Sequence, residues 1–189
     1  MKFLIDGSKE RCAERWRQWP DGVGGQLLTP LTRYRNCSRV YAIDNGAYSG
    51  FKEADFVSLL KREQHCKDEC LFVCIPDKVG SHTETVNMWE QYKHLADGWT
   101  RAFVAQDGFS GFPPDAEACF IGGTTAFKDS KAADEIVVYA LAAGMHVHIG
   151  RVNEKKRFWH FHDLGAHTCD GSGISRFSEK LPKIRDGRA

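Results

Sequence analysis

Eight short apolar runs punctuate the chain, each ending in a polar residue or a glycine: 3–5, 27–28, 40–43, 71–75, 102–105, 119–121, 147–149 and 168–169. A short apolar run bounded by turn-forming residues reads as a strand buried on both faces, the mark of a parallel sheet. Parallel neighbours need crossovers, and helical patterns fill most of the intervals, at 9–18, 54–67, 81–96, 130–143 and 153–164. Phe56, Leu59 and Leu60 share one helical face. Ser81 and Glu84 make a capping-box pattern, and Gly144 and Gly165 stand where a helix-ending C′ residue belongs. Residues 19–26 read as an irregular, glycine-containing loop. Eight strands alternating with helices predict a compact (β/α)8 barrel, with an open doubly wound sheet as the alternative. The intervals 30–38 and 108–117 are too short for a full helix. The helix ring is therefore expected to be incomplete, with a second copy of the chain, a homodimer, covering the bare flank. Residues 1–177 are expected to form one catalytic domain, and 178–189 a basic tail carrying Lys180, Lys183, Arg185 and Arg188.

Composition narrows the function classes. With 26 basic and 25 acidic residues the net charge is +1, which excludes a polyanion binder held by bulk charge but leaves room for a local basic patch. No apolar run approaches the ~20 residues of a membrane span, and Asp6 interrupts the first run, so neither a membrane segment nor a signal peptide is expected. The seven cysteines are an odd number without paired spacing, which reads as the reduced thiols of a cytoplasmic chain.

The polar residues that follow the apolar runs carry the chemistry. Asp6, Asp44, Asp77, Gln106, Gly122, Gly123, Gly150 and Asp170 all stand just past a predicted strand. In either parallel fold that is the carboxyl rim, where active sites are built. A lone carboxylate there is often a helix N-cap; several converging on one rim are not explained that way. Asp170 lies in His-Thr-Cys-Asp-Gly-Ser-Gly (167–173), open to close approach, and reads either as a nucleophile toward an electrophilic carbon or as the cap of a turn. Asp44 lies in Ala-Ile-Asp-Asn-Gly-Ala-Tyr (42–48) and suits acid–base work or the binding of a donor-rich ring edge, though Asn45-Gly46 is also a good turn by itself. Tyr48 could stack on a flat ring at the same rim. Phe-Ile-Gly-Gly-Thr-Thr (120–125) lets backbone N–H groups approach a phosphate or a ring edge, without being a dinucleotide or Walker motif.

In this order the motifs resemble those of the tRNA-guanine transglycosylase superfamily, which includes DNA transglycosylases that insert 7-deazaguanine bases. Ile-Asp-Asn-Gly-Ala-Tyr resembles the family's Asp-Ser-Gly-Gly-Phe, which implies that Asp44 contacts the base and assists exchange, with Asn45 and Tyr48 beside it. Ile-Pro-Asp resembles the strand end that reads the guanine edge, giving Asp77. Phe-Val-Ala-Gln-Asp-Gly resembles Val-Gln-Gly-Gly, giving Gln106, and Phe-Ile-Gly-Gly gives Gly122 and Gly123 as backbone contacts to the base. His-Ile-Gly-Arg-Val, a helix and Leu-Gly-Ala-His-Thr-Cys-Asp resemble Met-Gly-Val-Gly, a helix and Gly-Val-Asp-Met-Phe-Asp. That match gives Gly150 and makes Asp170 the nucleophile, with Arg176 where the family carries arginines after it. The resemblance implies a (β/α)8 barrel, a covalent aspartyl-glycosyl intermediate, and a purine or 7-deazapurine base as partner. The three cysteines and one histidine of the tRNA enzymes' zinc subdomain have no counterpart after Asp170, which makes DNA the favoured nucleic acid over tRNA. No cofactor is expected. Arg33, Arg35, Arg151 and Arg176 are candidates for phosphate contacts.

Other patterns admit blander readings. Cys66, Cys70 and Cys74 recur every four residues, but helix end and buried strand do not face one metal easily. His146 and His148 share a strand face and, with Asp6 or Asp170, would suit a metal-dependent hydrolase; equally, His148 is a satisfied polar residue inside the barrel. Trp89 and Tyr92, three apart on a helix, read as core rather than as base-stacking groups. Water in place of an incoming base would make the same Asp170 site an N-glycosidase.

Overall fold

The structure is a computed structural model that describes residues 1–187. Eight parallel strands close a barrel in sequence order. They are β1 (Lys2–Ile5), β2 (Val23–Leu28), β3 (Tyr41–Ile43), β4 (Cys70–Cys74), β5 (Arg101–Ala105), β6 (Ala118–Ile121), β7 (His146–Ile149) and β8 (Thr168–Cys169). Closure is made by Lys2 and Phe3 pairing with Thr168 and Cys169. The strands are only two to six residues long, which is how a (β/α)8 barrel fits into a chain shorter than the ~250 residues typical of the fold.

Alternation along the strands divides the core. Leu4, Leu27, Ala42, Phe72, Cys74, Ala102, Val104, Ala118 and Phe120 form the barrel interior, large residues set against small ones. The outward positions pack under helices. Beneath α2 (Glu53–Glu63) and α3 (His82–Tyr92), Ile43 and Val73 meet Phe56 and Trp89. Beneath α5 (Lys131–Ala142) and α6 (Lys155–Asp163), Cys119, Val147 and Ile149 meet Ile136, Phe158 and Phe161. Trp89 and Trp99 are buried in this packing. The helices begin where their caps dictate: Ser8 opens α1 (Lys9–Gln18), Ser81 opens α3, Thr124 opens α4 (Thr125–Lys128) and Ser130 opens α5, each side chain accepting a backbone N–H of the first turn. The helices expected at 54–67 and 81–96 end early, in 3-10 turns at Gln64–Glu69 and Lys93–Ala96.

The helix ring has its two gaps after β2 and β5, and the chain packs both. Gln26 points outward and is fully buried: its Nε2 donates to Gly7 O (2.9 Å) and Arg35 O (3.1 Å), and its Oε1 accepts from Cys37 N (2.8 Å). One amide thus ties the 29–40 loop to the barrel where a helix would lie. At the second gap Phe109 and Phe112 pack edge to face, 4.8 Å apart, and Phe112 stacks on Tyr139 of α5.

Two expectations need correction. The loop read at 19–26 is β2 from Val23 onward. Glycine weakens a strand in isolation, but here Gly25 is needed, because a Cβ would stand 2.1 Å from Val40 O of the returning loop. The segment read as a basic tail is folded: after α7 (Ser172–Arg176), α8 (Lys180–Arg185) buries Leu181 and Ile184 in the core. Lys183 and Arg185 fall on the outer face of an amphipathic turn; Arg188 lies outside the described residues. No helix among the described residues is long and apolar enough to cross a membrane.

Candidate active site

The carboxyl ends of six strands converge on one small cavity of about 70 Å³. β3 supplies Asp44, Asn45 and Tyr48, and the segment after β4 supplies Asp77. β5 supplies Gln106, β6 Gly122 and Gly123, β7 Gly150 and Arg151, and β8 Asp170. Nine of the ten residues to which the resemblance assigns a place in the site therefore line one space. The tenth, Arg176, does not: it closes α7, a full turn beyond the rim, and its exposed guanidinium serves Asp6 electrostatically instead. Val79, Val104 and Phe120 give the cavity apolar walls. Two glycines are required by this crowding: a Cβ on Gly150 would stand 2.4 Å from the Phe120 ring, and one on Gly122 2.5 Å from Val104.

Asp77 forms a fixed acceptor. Asn45 Nδ2 donates to its Oδ1 at 2.8 Å and to Ile75 O at 2.9 Å, while Asn45 Oδ1 accepts from Ala47 N at 2.7 Å. Gln106 Nε2 donates to Asp77 Oδ2, and Gln106 Oε1 accepts from Gly80 N at 3.0 Å. Both amides are spent on holding Asp77. Its remaining lone pairs can accept from a ring edge carrying adjacent N–H donors. Burial pushes its carboxyl up to about 6, against the Asn45 hydrogen bond and the Arg151 charge.

Asp170 is gripped by one oxygen. Its Oδ1 accepts from Arg151 N at 2.9 Å and meets His148 Nε2 at 3.3 Å. Oδ2 takes no protein hydrogen bond among the described residues. Behind it, His148 Nδ1 and His146 Nε2 each lie 2.8 Å from Thr168 Oγ1. With Asp170 ionised and His148 carrying a single ring proton, hydrogen-bond accounting gives one direction. His146 donates to the Thr168 hydroxyl, that hydroxyl donates to His148 Nδ1, and His148 Nε2–H points at Asp170. Burial, and then His148 and His167, push His146 down to about 3, so it serves as a neutral donor.

Asp44 shares the cavity of Asp77 and Asp170 and feels both charges. Burial, then the charges of Asp170 and Asp77, push its carboxyl up to about 7, against hydrogen bonds from the Gly46 and Asn45 backbone. A carboxyl that titrates near neutral pH can donate and take back a proton in one cycle. Asp6, past β1, also feels Asp170. Burial and the Asp170 charge raise it to about 6, and its Oδ1 is buried without a partner.

Sequence reasoning underrates two residues. His148 is half-announced by the His-x-His pattern, but its bond to Asp170 depends on barrel closure. Arg151 reads in the sequence as a candidate for a phosphate contact. It is the one non-glycine among the described residues with positive φ, +58°, a conformation costing roughly 1–2 kcal/mol. Three contacts hold it there: its N–H on Asp170, its Nη2 on Gly123 O at 2.6 Å, and its guanidinium 4.5 Å from the Tyr48 ring centroid. Among the described residues no three His, Cys, Asp or Glu side chains are grouped as metal ligands. The paired histidines turn to Thr168, Cys66 turns to Tyr41 Oη at 3.5 Å, and Cys74 lies in the barrel interior.

Neither a family model nor a curated protein matches this chain.

Proposed function

We propose that this chain is a nucleic-acid base transglycosylase that exchanges guanine for a 7-deazaguanine-type base, with DNA as the expected polymer. The observation that carries the reading is a division of labour within one cavity. Asp170 offers one free oxygen, Asp77 a fixed acceptor edge, and Asp44 a carboxyl that titrates near neutrality. These are the three tasks that base exchange at C1′ requires.

The steps follow from the positions. The target nucleotide leaves the stack, at a cost of a few kcal/mol in a duplex. Its guanine lays the N1–H and N2–H edge against Asp77. Asp170 Oδ2 attacks C1′, the C1′–N9 bond breaks with its electrons on N9, and Asp44 delivers a proton to the departing base. A 7-deazaguanine base enters the vacated space and returns its N9 proton to Asp44. Its N9 then attacks C1′ and releases the Asp170 carboxylate. Water in the second step would give hydrolysis from the same intermediate.

Nucleoside analysis tests this reading. Guanine-containing DNA and tRNA are incubated with the protein, with and without a 7-deazaguanine base. Exchange in one polymer, lost by at least a thousandfold in Asp170→Asn, is the expected result; a nucleophile's removal commonly costs that much or more. Release of guanine without incorporation identifies the glycosidase. No change in either polymer overturns the proposal.

A further inference from the structure

The structure assigns Arg151 a double positioning role, as the backbone clamp on Asp170 and as the side-chain plug that closes the cavity at Tyr48. This inference rests on the transglycosylase reading for what enters the cavity.

The backbone part comes from the positive φ. The Arg151 N–H meets Asp170 Oδ1 at 2.9 Å, and a φ of +58° then turns the chain so that the next residue, Val152, donates its N–H to Asp170 O at 2.6 Å. Two consecutive amides therefore hold one aspartate, side chain and main chain. An L residue leaves the left-handed region unless its surroundings hold it there. The hold comes from the guanidinium, anchored on Gly123 O and stacked on Tyr48. The clamp and the plug are thus the two ends of one residue.

The plug part comes from space. A cavity of about 70 Å³ is far below the ~300–1,000 Å³ of sites that enclose drug-sized ligands, and Arg151 and Tyr48 both line it. Tyr48 is 71% exposed and sits on a 3-10 turn, Ala47–Ser49, between Gly46 (φ +72°) and Gly50 (φ +99°). The guanidinium covers a ring face that a flat base would otherwise use. An incoming base takes that face from Arg151, and the displaced guanidinium is then free to meet a phosphate of the same strand.

Glycine and alanine at this position delete the same guanidinium, but only glycine keeps φ near +60° without strain. Comparing them separates backbone from side chain. Affinity for free guanine, measured by calorimetry, is expected to rise about two- to fivefold in both Arg151→Gly and Arg151→Ala, the equilibrium factor of an exposed cation–π contact. Single-turnover formation of the glycosyl adduct is expected to be about tenfold faster in Arg151→Gly than in Arg151→Ala, with KM similar in the two. A purely structural role would lower Tm in both without separating their rates. Weaker guanine binding in both variants overturns the plug, and equal adduct rates overturn the clamp. A wild-type protein that neither binds guanine nor forms an adduct removes the transglycosylase reading and this inference together. A wild-type protein that does both, with variants that do not separate, removes this inference alone.

Discussion

At the scale of single residues, the site works by giving three similar carboxyl groups different surroundings. Asp77 is held by two side-chain amides, Asp170 by a backbone N–H and a histidine, and Asp44 only by backbone groups of its own turn. Asp44 is the one raised to about 7, first by burial and then by the charges of Asp170 and Asp77. In the proposed reaction Asp44 gives its proton to the leaving base and must be protonated, so the single-turnover rate of base release is expected to fall as pH rises above about 7. Asp44→Asn should react slowly and without that limb, a combination that a pH–rate profile reads directly. An unchanged limb in Asp44→Asn would assign the proton to another group. These aspartates were legible in the sequence because each follows an apolar run. Arg151 was not, because nothing in its neighbours announces a positive φ, which is set by contacts from β3, β6 and β8.

At the scale of elements, the eight strands and the two helix-free intervals were readable from apolar runs and turn residues alone, since parallel strands buried on both faces leave so plain a pattern. What fills the gaps was not readable. Gln26 looks like an ordinary polar residue beside two glycines, yet it stands in for a helix. Gln26→Leu leaves Gly7 O, Arg35 O and Cys37 N without their partner. Stranding buried polar groups costs roughly 1–3 kcal/mol, so Tm is expected to fall by roughly 3–10 °C. Thermal unfolding checks this, and a Tm within a degree of wild type would show that the loop is held by something else. The C-terminal helix is hidden in the sequence for the opposite reason. Its three basic residues, Lys180, Lys183 and Arg185, outweigh Leu181 and Ile184 in composition, although those two decide where it packs.

At the scale of the whole molecule, placing Asp6, Asp44 and Asp77 on one rim has a cost in stability. Their carboxyls are raised to about 6, 7 and 6. A raised carboxyl favours the folded state while protonated, below its unfolded value of about 4, and that contribution is lost as pH rises through the folded value. His146, pushed down to about 3, works in the other direction over an overlapping range. A difference measurement therefore isolates the effect: Asp44→Asn is neutral throughout and escapes the loss. Its Tm relative to wild type is expected to rise by roughly 5–10 °C between pH 5 and pH 8. A constant difference across that range would mean that Asp44 is not raised. Such a cost, set at a strand-end rim around one cavity, is a common feature of catalytic sites.

The central claim is that Asp170 carries the reacting carbon. It is tested most directly by acid-quenching the wild-type protein with guanine-containing DNA or tRNA, measuring intact mass and mapping the modified peptide. The account predicts a glycosyl adduct on the peptide containing Asp170, absent in Asp170→Asn and discharged by added 7-deazaguanine base. An adduct on another carboxylate, or turnover that persists in Asp170→Asn, would contradict it.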